Sequence, residues 1–202
     1  MPVAARIAAA TTSGAWSGTT RSTSPARRAA TSRGTAGKIS QVTEPVVRTY
    51  LELDDPAGLR PAGPPSLQDV DIERVAPPDG ALSRWFYAEV GREYEWTDHL
   101  ARSAAEWQAW ANGVETWVAT VAGERAGYYE LHEEDDGIQV AYFGLLPAFH
   151  GRGLGGHLLT HALRRAFELA PRVWLHTCTL DGAAALPNYT ARGLRPFRTQ
   201  TL

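Results

Sequence analysis

The stretch from Ala141 to Leu159 constrains the fold of this chain more than any other. It begins as an apolar run typical of a strand, breaks at Pro147, passes through a glycine cluster and continues with the spacing of an amphipathic helix. The glycines are Gly151, Gly153, Gly155 and Gly156. Because glycine lacks a Cβ, such a loop turns sharply and lets backbone N–H groups approach a ligand. With the unpaired donors and the positive dipole end of the following helix, this stretch predicts a site for phosphate or pyrophosphate.

The segments around this stretch predict a mixed α/β domain. Strand patterns occur at 46–53, 70–75, 115–121, 126–132, 138–145, 172–178 and 195–199, and helix patterns at 80–90, 103–112, 154–170 and 183–192. Turns containing Gly123 and Gly137 join three of the strands into an antiparallel meander. The helical crossover that follows makes 172–178 the parallel neighbour of 138–145.

The first 43 residues differ in composition from the rest of the chain. They hold six basic residues, no Asp or Glu, and few large apolar side chains. Such a segment cannot bury enough apolar surface to offset its chain entropy. We therefore expect residues 1–43 to be a disordered tail or the product of a misassigned start, and residues 44–202 to form one domain.

Residues 44–202 carry 14 basic and 22 acidic residues, and this excess of acidic residues bears on which partners the protein can bind. An acidic body disfavours nucleic acid, whose phosphates need a basic face, and it suits cationic substrates such as amines. No apolar run approaches the ~20 residues that cross a bilayer, so no membrane partner is expected. Cys178 is the only cysteine, which argues against an intrachain disulfide and a cysteine metal cluster. We expect a cytoplasmic protein without a metal site.

Taken alone, the spacing of Gly151, Gly153 and Gly156 also satisfies the dinucleotide-binding fingerprint. In that fold the strand runs almost directly into the first glycine, whereas residues 147–150 intervene here, and the repeated βαβ units are missing. A P-loop fails because no Gly-Lys-Ser/Thr follows. A plain strand-to-helix turn would not need four glycines. An NAD-binding oxidoreductase is therefore the weaker alternative.

Two motifs resemble those of a known family, the GCN5-related N-acetyltransferases. The sequence from His150 through Gly155 is similar to the family's acyl-CoA-binding signature: Gln or Arg, two residues, Gly, any residue, then Gly or Ala at the start of a helix. The order of strands and helices is also similar, as is the ending 185–194, which matches a closing motif of Asn, Ala, Tyr and Gly-Phe. The resemblance covers roughly residues 46–202. His150, Gly182 and Leu194 depart from the usual Gln or Arg, Asn and Phe.

The resemblance implies an α/β fold (an α+β mixed sheet) of the acyl-CoA N-acyltransferase type. Its antiparallel N-terminal meander would be followed by a parallel strand pair splayed at the cofactor site. The backbone of the glycine loop would hold the pyrophosphate of acetyl-CoA, the co-substrate, and the pantetheine arm would lie along the preceding strand. The implied cofactor-binding residues are Phe143, Leu145, His150, Gly151, Arg152, Gly153, Leu154, Gly155 and Gly156.

The resemblance also implies direct transfer of the acetyl group to an amine of a small molecule or peptide. Tyr189 matches the family's tyrosine general acid, which would protonate the leaving thiolate. The base is not fixed, and its candidates on the central strands are Glu130, His132, Glu133 and His176. We place Glu130 first, because it lies inside a strand and shares a face with Tyr128 and His132.

A different class of function stays open beside the transferase. An acyl-CoA-binding sensor or inactive homologue would bind the cofactor and transfer nothing. Gly182 and the lack of a glutamate on 138–145 favour this alternative. The acceptor amine and the oligomeric state, including a homodimer, are not defined by the sequence.

Overall fold

The computed structural model describes residues 45–202 and, in addition, the backbone of Ala4–Ala5. Within residues 45–202 the strands are β1 (Val47–Leu53), β2 (Val70–Arg74), β3 (Val114–Val121), β4 (Glu124–Glu134), β5 (Gly137–Leu145), β6 (Val173–Cys178) and β7 (Arg195–Thr201). The helices are α1 (Gly80–Gly91), α2 (Ala104–Asn112), α3 (Leu154–Leu169) and α4 (Ala185–Ala191).

Single 3-10 turns lie at Pro56–Gly58 and Pro147–Phe149. All the predicted strands and helices are present, with ends that differ by a few residues. Apart from Ala4–Ala5, the tail predicted to be disordered lies outside the described residues, and that prediction stays untested.

The strands form one mixed sheet in the order β2-β3-β4-β5-β6-β1-β7. Only β5 and β6 run parallel, and every other neighbouring pair is antiparallel. The predicted meander, β3 to β5, and the predicted parallel pair are therefore confirmed. The position of β1 was not predicted: it lies between β6 and β7, where Leu51 pairs with Leu175 on one side and Pro196 on the other.

Alternation along the strands gives the sheet two different buried faces. On one face α3 packs over an aliphatic core that includes Leu51, Leu158 and Leu175. On the other face lies an aromatic cluster, formed with α1, α2 and the segment between them: Phe86, Tyr87, Val90, Tyr94, Trp96, Trp107, Tyr128 and Tyr142. The candidate functional site lies between these two layers, where β5 and β6 separate.

Helix α2 begins where its sequence predicts. The Ser103 hydroxyl accepts a hydrogen bond from the Glu106 N–H at 3.3 Å, and the Glu106 carboxylate accepts one from the Ser103 N–H at 2.6 Å. This reciprocal capping box satisfies two donors that a helix start leaves without a partner. Among the helices of residues 45–202, none is both long and apolar enough to span a membrane.

The proline-rich segment after β1, residues 54–66, packs over the start of α3 and the end of α4. Ser66 donates from its N–H and its hydroxyl to the Arg152 carbonyl, at 3.1 Å each. The Ala62 N–H donates to the Thr160 hydroxyl at 2.9 Å. The Arg60 N–H donates to the carbonyl of the last α4 turn, at Arg192, at 3.0 Å. This segment therefore fixes the glycine loop against both helices.

Candidate functional site

The parallel strands β5 and β6 pair over only two positions. Ile138 pairs with Val173 and Gln139 with Trp174, and the pairing ends there. Further along β5, Phe143 and Gly144 pair instead with the Ala4–Ala5 dipeptide in antiparallel register. This edge of β5 thus accepts an extended backbone rather than β6, as the predicted splayed pair requires.

The glycine loop follows β5 after the 3-10 turn Pro147–Phe149 and leads into α3. Gly151 and Gly153 have φ angles of +74° and +80°, a conformation that side chains disfavour. Gly153 is the N-cap of α3 and supplies no side-chain hydrogen bond, so the first-turn N–H groups need partners from outside the helix. A Cβ at Gly151 would meet no atom within 4 Å. The loop can therefore bring backbone donors to an anion without steric hindrance.

The structure brings the predicted cofactor-binding residues together at the end of β5 and the start of α3. Phe143 and Leu145 are buried in β5, and Leu154 is buried as the first residue of α3. His150 Nε2 lies 3.0 Å from the Leu145 carbonyl, and burial lowers the pKa of the imidazole. The neutral ring therefore donates to that carbonyl and ties the loop to the strand. The Arg152 side chain is exposed.

Tyr189, the predicted acid, lies on α4 and is fully buried beside β5. Its ring meets that of Phe143 edge to face, with centroids 6.2 Å apart. Its hydroxyl has no hydrogen-bond partner within residues 45–202. Burial raises the pKa of this phenol well above its ordinary value, and the charge of Asp181 raises it further. The phenol is therefore a neutral donor next to the splayed edge.

Glu130, the predicted base, is fully buried on β4 and is held by three donors. Its Oε1 accepts from the hydroxyls of Ser83 at 2.6 Å and Thr116 at 3.0 Å, and its Oε2 accepts from the Trp110 indole N–H at 2.5 Å. Burial raises the pKa of the carboxyl, and the three hydrogen bonds oppose that rise. Both oxygens are engaged in joining α1, α2 and β3 to β4. Its role as a base stays a prediction.

The other candidate bases occupy different environments. His132 stacks on Trp110 with centroids 5.5 Å apart, and its Nδ1 lies 3.0 Å from the Glu134 carboxylate. Glu133 is exposed. His176 is buried on β6, where its ring meets Tyr50 edge to face at 5.3 Å. The structure does not gather these side chains into one cluster.

Asp181 is a member of the site that the motifs did not indicate. Its Oδ2 accepts from the Thr177 hydroxyl at 2.7 Å and from the Cys178 N–H at 2.8 Å, which closes the loop between β6 and α4. Its charge contributes to the raised pKa of both Tyr189 and Tyr94. A cavity of about 380 Å³ borders it. In the sequence, the available indication was an acidic residue shortly after a predicted strand. The hydrogen-bond partners of Asp181 are known only from the folded structure.

Comparison with known proteins agrees with this geometry. The model of the acetyltransferase (GNAT) family matches residues 81–194. The fold is similar to that of a GCN5-related N-acetyltransferase from Kribbella flavida, with 22% identity, a TM-score of 0.54, and coverage of 77% of this chain and 58% of that one. It is also similar to one from Sphaerobacter thermophilus, with 14% identity, a TM-score of 0.57, and coverage of 77% and 50%.

This chain thus spans between half and three-fifths of the length of those two solved structures. No curated protein matches the sequence. The family match covers more than half of the chain, and the overall fold is similar to that of the solved relatives. The chain therefore belongs to the acetyltransferase (GNAT) family.

Proposed function

We propose that this protein is an N-acetyltransferase that transfers the acetyl group of acetyl-CoA directly to an amine of a small molecule or peptide. The observation that carries the proposal is the separation of β5 from β6 beside the buried Tyr189 hydroxyl. The phenol lies beside Phe143 of β5, and the glycine loop lies beyond the end of that strand. In acyl-CoA the sulfur and the pyrophosphate are at opposite ends of the pantetheine arm, so that phenol, cleft and glycine loop would receive sulfur, arm and pyrophosphate in turn.

The residues present fit such a cofactor. The uncapped first turn of α3 and the open side of Gly151 suit a pyrophosphate. The edge of β5 at Phe143–Leu145 suits the amides of the pantetheine arm, which would pair there in place of Ala4–Ala5. When bound, acetyl-CoA supplies a thioester carbonyl that an amine can attack. A backbone N–H of this edge would donate to the developing oxyanion.

Transfer makes a C–N bond to the acceptor nitrogen and breaks the C–S bond of the thioester. A primary amine has a pKa of about 10.4 by the lysine reference, so it must first lose a proton, to Glu130 or to water. The leaving thiolate, with a pKa of about 8.5 by the cysteine reference, would take a proton from the Tyr189 hydroxyl. Because burial raises the pKa of that phenol, it holds its proton at neutral pH, and solvent returns a proton to it after transfer.

The engaged carboxylate of Glu130 favours a second candidate function. With both oxygens satisfied inside the protein, this residue would not take a proton from an acceptor. The chain would then be an acyl-CoA-binding protein without transferase activity. For either candidate we propose a cytoplasmic location and an acceptor or effector other than nucleic acid, in keeping with the acidic composition of residues 44–202.

Calorimetry with acetyl-CoA, followed by thiol release across a panel of amines, tests the proposal. Saturable binding with amine-dependent thiol release is expected. Binding without release for any amine would favour the second candidate, and an absence of binding would overturn both.

Replacing Tyr189 with phenylalanine should lower turnover by about 10- to 100-fold, because one donor to the leaving sulfur is lost. The affinity for acetyl-CoA should stay nearly unchanged, since the ring still packs on Phe143. Steady-state kinetics and calorimetry measure the two effects separately. Tyr128→Phe is the matched control: this tyrosine is equally buried and its hydroxyl also lacks a partner within residues 45–202, but it stacks on Phe86. An equal loss of affinity in Tyr189→Phe would contradict the acid role.

A further inference from the structure

Arg192, the residue that follows α4, places its guanidinium against the first turn of α3. The group fills the space that a Cβ at Gly156 would need, next to Ala62 of the proline-rich segment. Only a glycine at position 156 leaves room for it there without displacement. The guanidinium is thus part of the interface between α3 and α4, beside the glycine loop.

Nothing charged in residues 45–202 neutralises this guanidinium. Its Nη1 has one polar neighbour, the neutral Asn188 amide oxygen at 3.4 Å, and its buried Nε has no acceptor. Burial lowers the pKa of the group, and no neighbouring carboxylate offsets that effect. By contrast, Arg165, Arg172 and Arg195 each pair with a carboxylate.

The position of the Arg192 guanidinium at the start of α3 makes its unneutralised charge still less favourable. The N-terminal end of a helix carries partial positive charge, which disfavours a cation and favours an anion. Arg192 lies at that end of α3, where Gly153 provides no capping side chain. An anion bound at this point would satisfy the free first-turn donors and the guanidinium together.

We propose that Arg192 is a phosphate-binding residue, whose guanidinium donates to a phosphate of the CoA moiety at the start of α3. The inference rests on the proposed function for its ligand. A guanidinium presents two parallel N–H groups that match phosphate oxygens, which a lysine cannot do. The CoA moiety carries two such groups, the pyrophosphate and the 3′-phosphate of the ribose, and both share this chemistry.

Calorimetry with CoA and with dephospho-CoA, on the full chain, tests the proposal. Arg192→Gln should weaken CoA binding by about 10- to 100-fold, and Arg192→Lys by less. The matched control is Arg164→Gln, because Arg164 is an exposed arginine in the second half of α3, away from the first turn of that helix. A loss seen with CoA alone assigns the 3′-phosphate, and a loss seen with both ligands assigns the pyrophosphate; either supports the proposal.

Thermal unfolding without ligand separates binding from a structural role. Because the guanidinium is unpaired, Arg192→Gln should unfold at the wild-type temperature or higher, yet lose the stabilisation that CoA provides. A lower unfolding temperature without ligand, or unchanged CoA affinity, would overturn this inference alone. A wild-type protein that binds neither ligand would overturn the proposed function, and this inference with it.

Discussion

Replacing Glu130 with alanine is expected to lower the free energy of unfolding by at least about 3 kcal/mol, roughly 1 kcal/mol or more for each of three orphaned donors. Those donors are Ser83, Trp110 and Thr116, which come from α1, α2 and β3. These three donors have no other acceptor among the hydrogen bonds of residues 45–202. Because the site is fully buried, water cannot easily replace the carboxylate. Urea unfolding measures the loss, and near-wild-type stability would contradict the central role of this network.

Glu130→Gln is the informative companion. Its amide oxygen can accept from the Trp110 N–H, and its NH2 group can donate to the two hydroxyls, which rotate to accept. The folded-state pKa of Glu130 is raised, so ionisation costs stability as the pH rises from 4.5 through that value. The amide avoids this cost at neutral pH, and we expect Gln to stay within about 1 kcal/mol of the wild type.

The same variant decides the predicted catalytic role. If Glu130 is the base, Glu130→Gln should lose about 100-fold or more in turnover while remaining folded. Thiol release with a reactive amine measures this. Turnover at the wild-type rate would show that the carboxylate is structural and that the base is another group or solvent.

Stability is expected to fall steeply above pH 10. Burial raises the pKa of five tyrosines that pack in the core, Tyr94, Tyr128, Tyr129, Tyr142 and Tyr189. In the unfolded chain these phenols have a pKa of about 10 and ionise, whereas in the folded chain they stay neutral. The unfolded state therefore releases more protons as the pH rises, and stability is lost above the unfolded value.

Each such tyrosine contributes about 1.4 kcal/mol per pH unit while it is ionised only in the unfolded state, so that five approach about 7 kcal/mol per unit. Thermal unfolding between pH 8 and 11, with phenolate absorbance followed in parallel, measures the slope. The absorbance of these tyrosines should appear together with unfolding. Ionisation of all seven tyrosines with a midpoint near pH 10 in a folded protein would contradict the prediction. Tyr129→Phe should reduce the slope by one tyrosine's share.

The sequence predicted local elements well because their signals are local. The capping residue Ser103, the alternation of β1 and the glycines of the loop all lie within a few positions of the structure that they specify. The splayed pair needed the family resemblance, since spacing alone indicates only a parallel neighbour. The binding residues of that resemblance lie together in the structure, although their roles stay predictions.

Features built from distant segments were not predictable in this way. The partners of Glu130 come from three elements, up to 47 residues away, and no pattern links their positions. The unpaired Arg192 guanidinium depends on Gly156 and on a loop that precedes α1 by many residues. The contributions of Glu130 and Arg192 to stability and binding can be judged only when the burial and the neighbouring groups of each side chain are known.

The place of β1 in the sheet sets the order in which the protein can be completed during synthesis. Its Tyr50 hydroxyl donates to Gln200, 150 residues later, and its Glu52 carboxylate pairs with Arg172, 120 residues later. Within residues 45–202, β1 is the first strand to leave the ribosome and must therefore wait for the last strand, β7, which has no other neighbour in this part of the chain. Contacts of such long range slow folding. A chain cut to the family match, 81–194, would lose β1, β2 and β7 and leave β3 and β6 as bare edges.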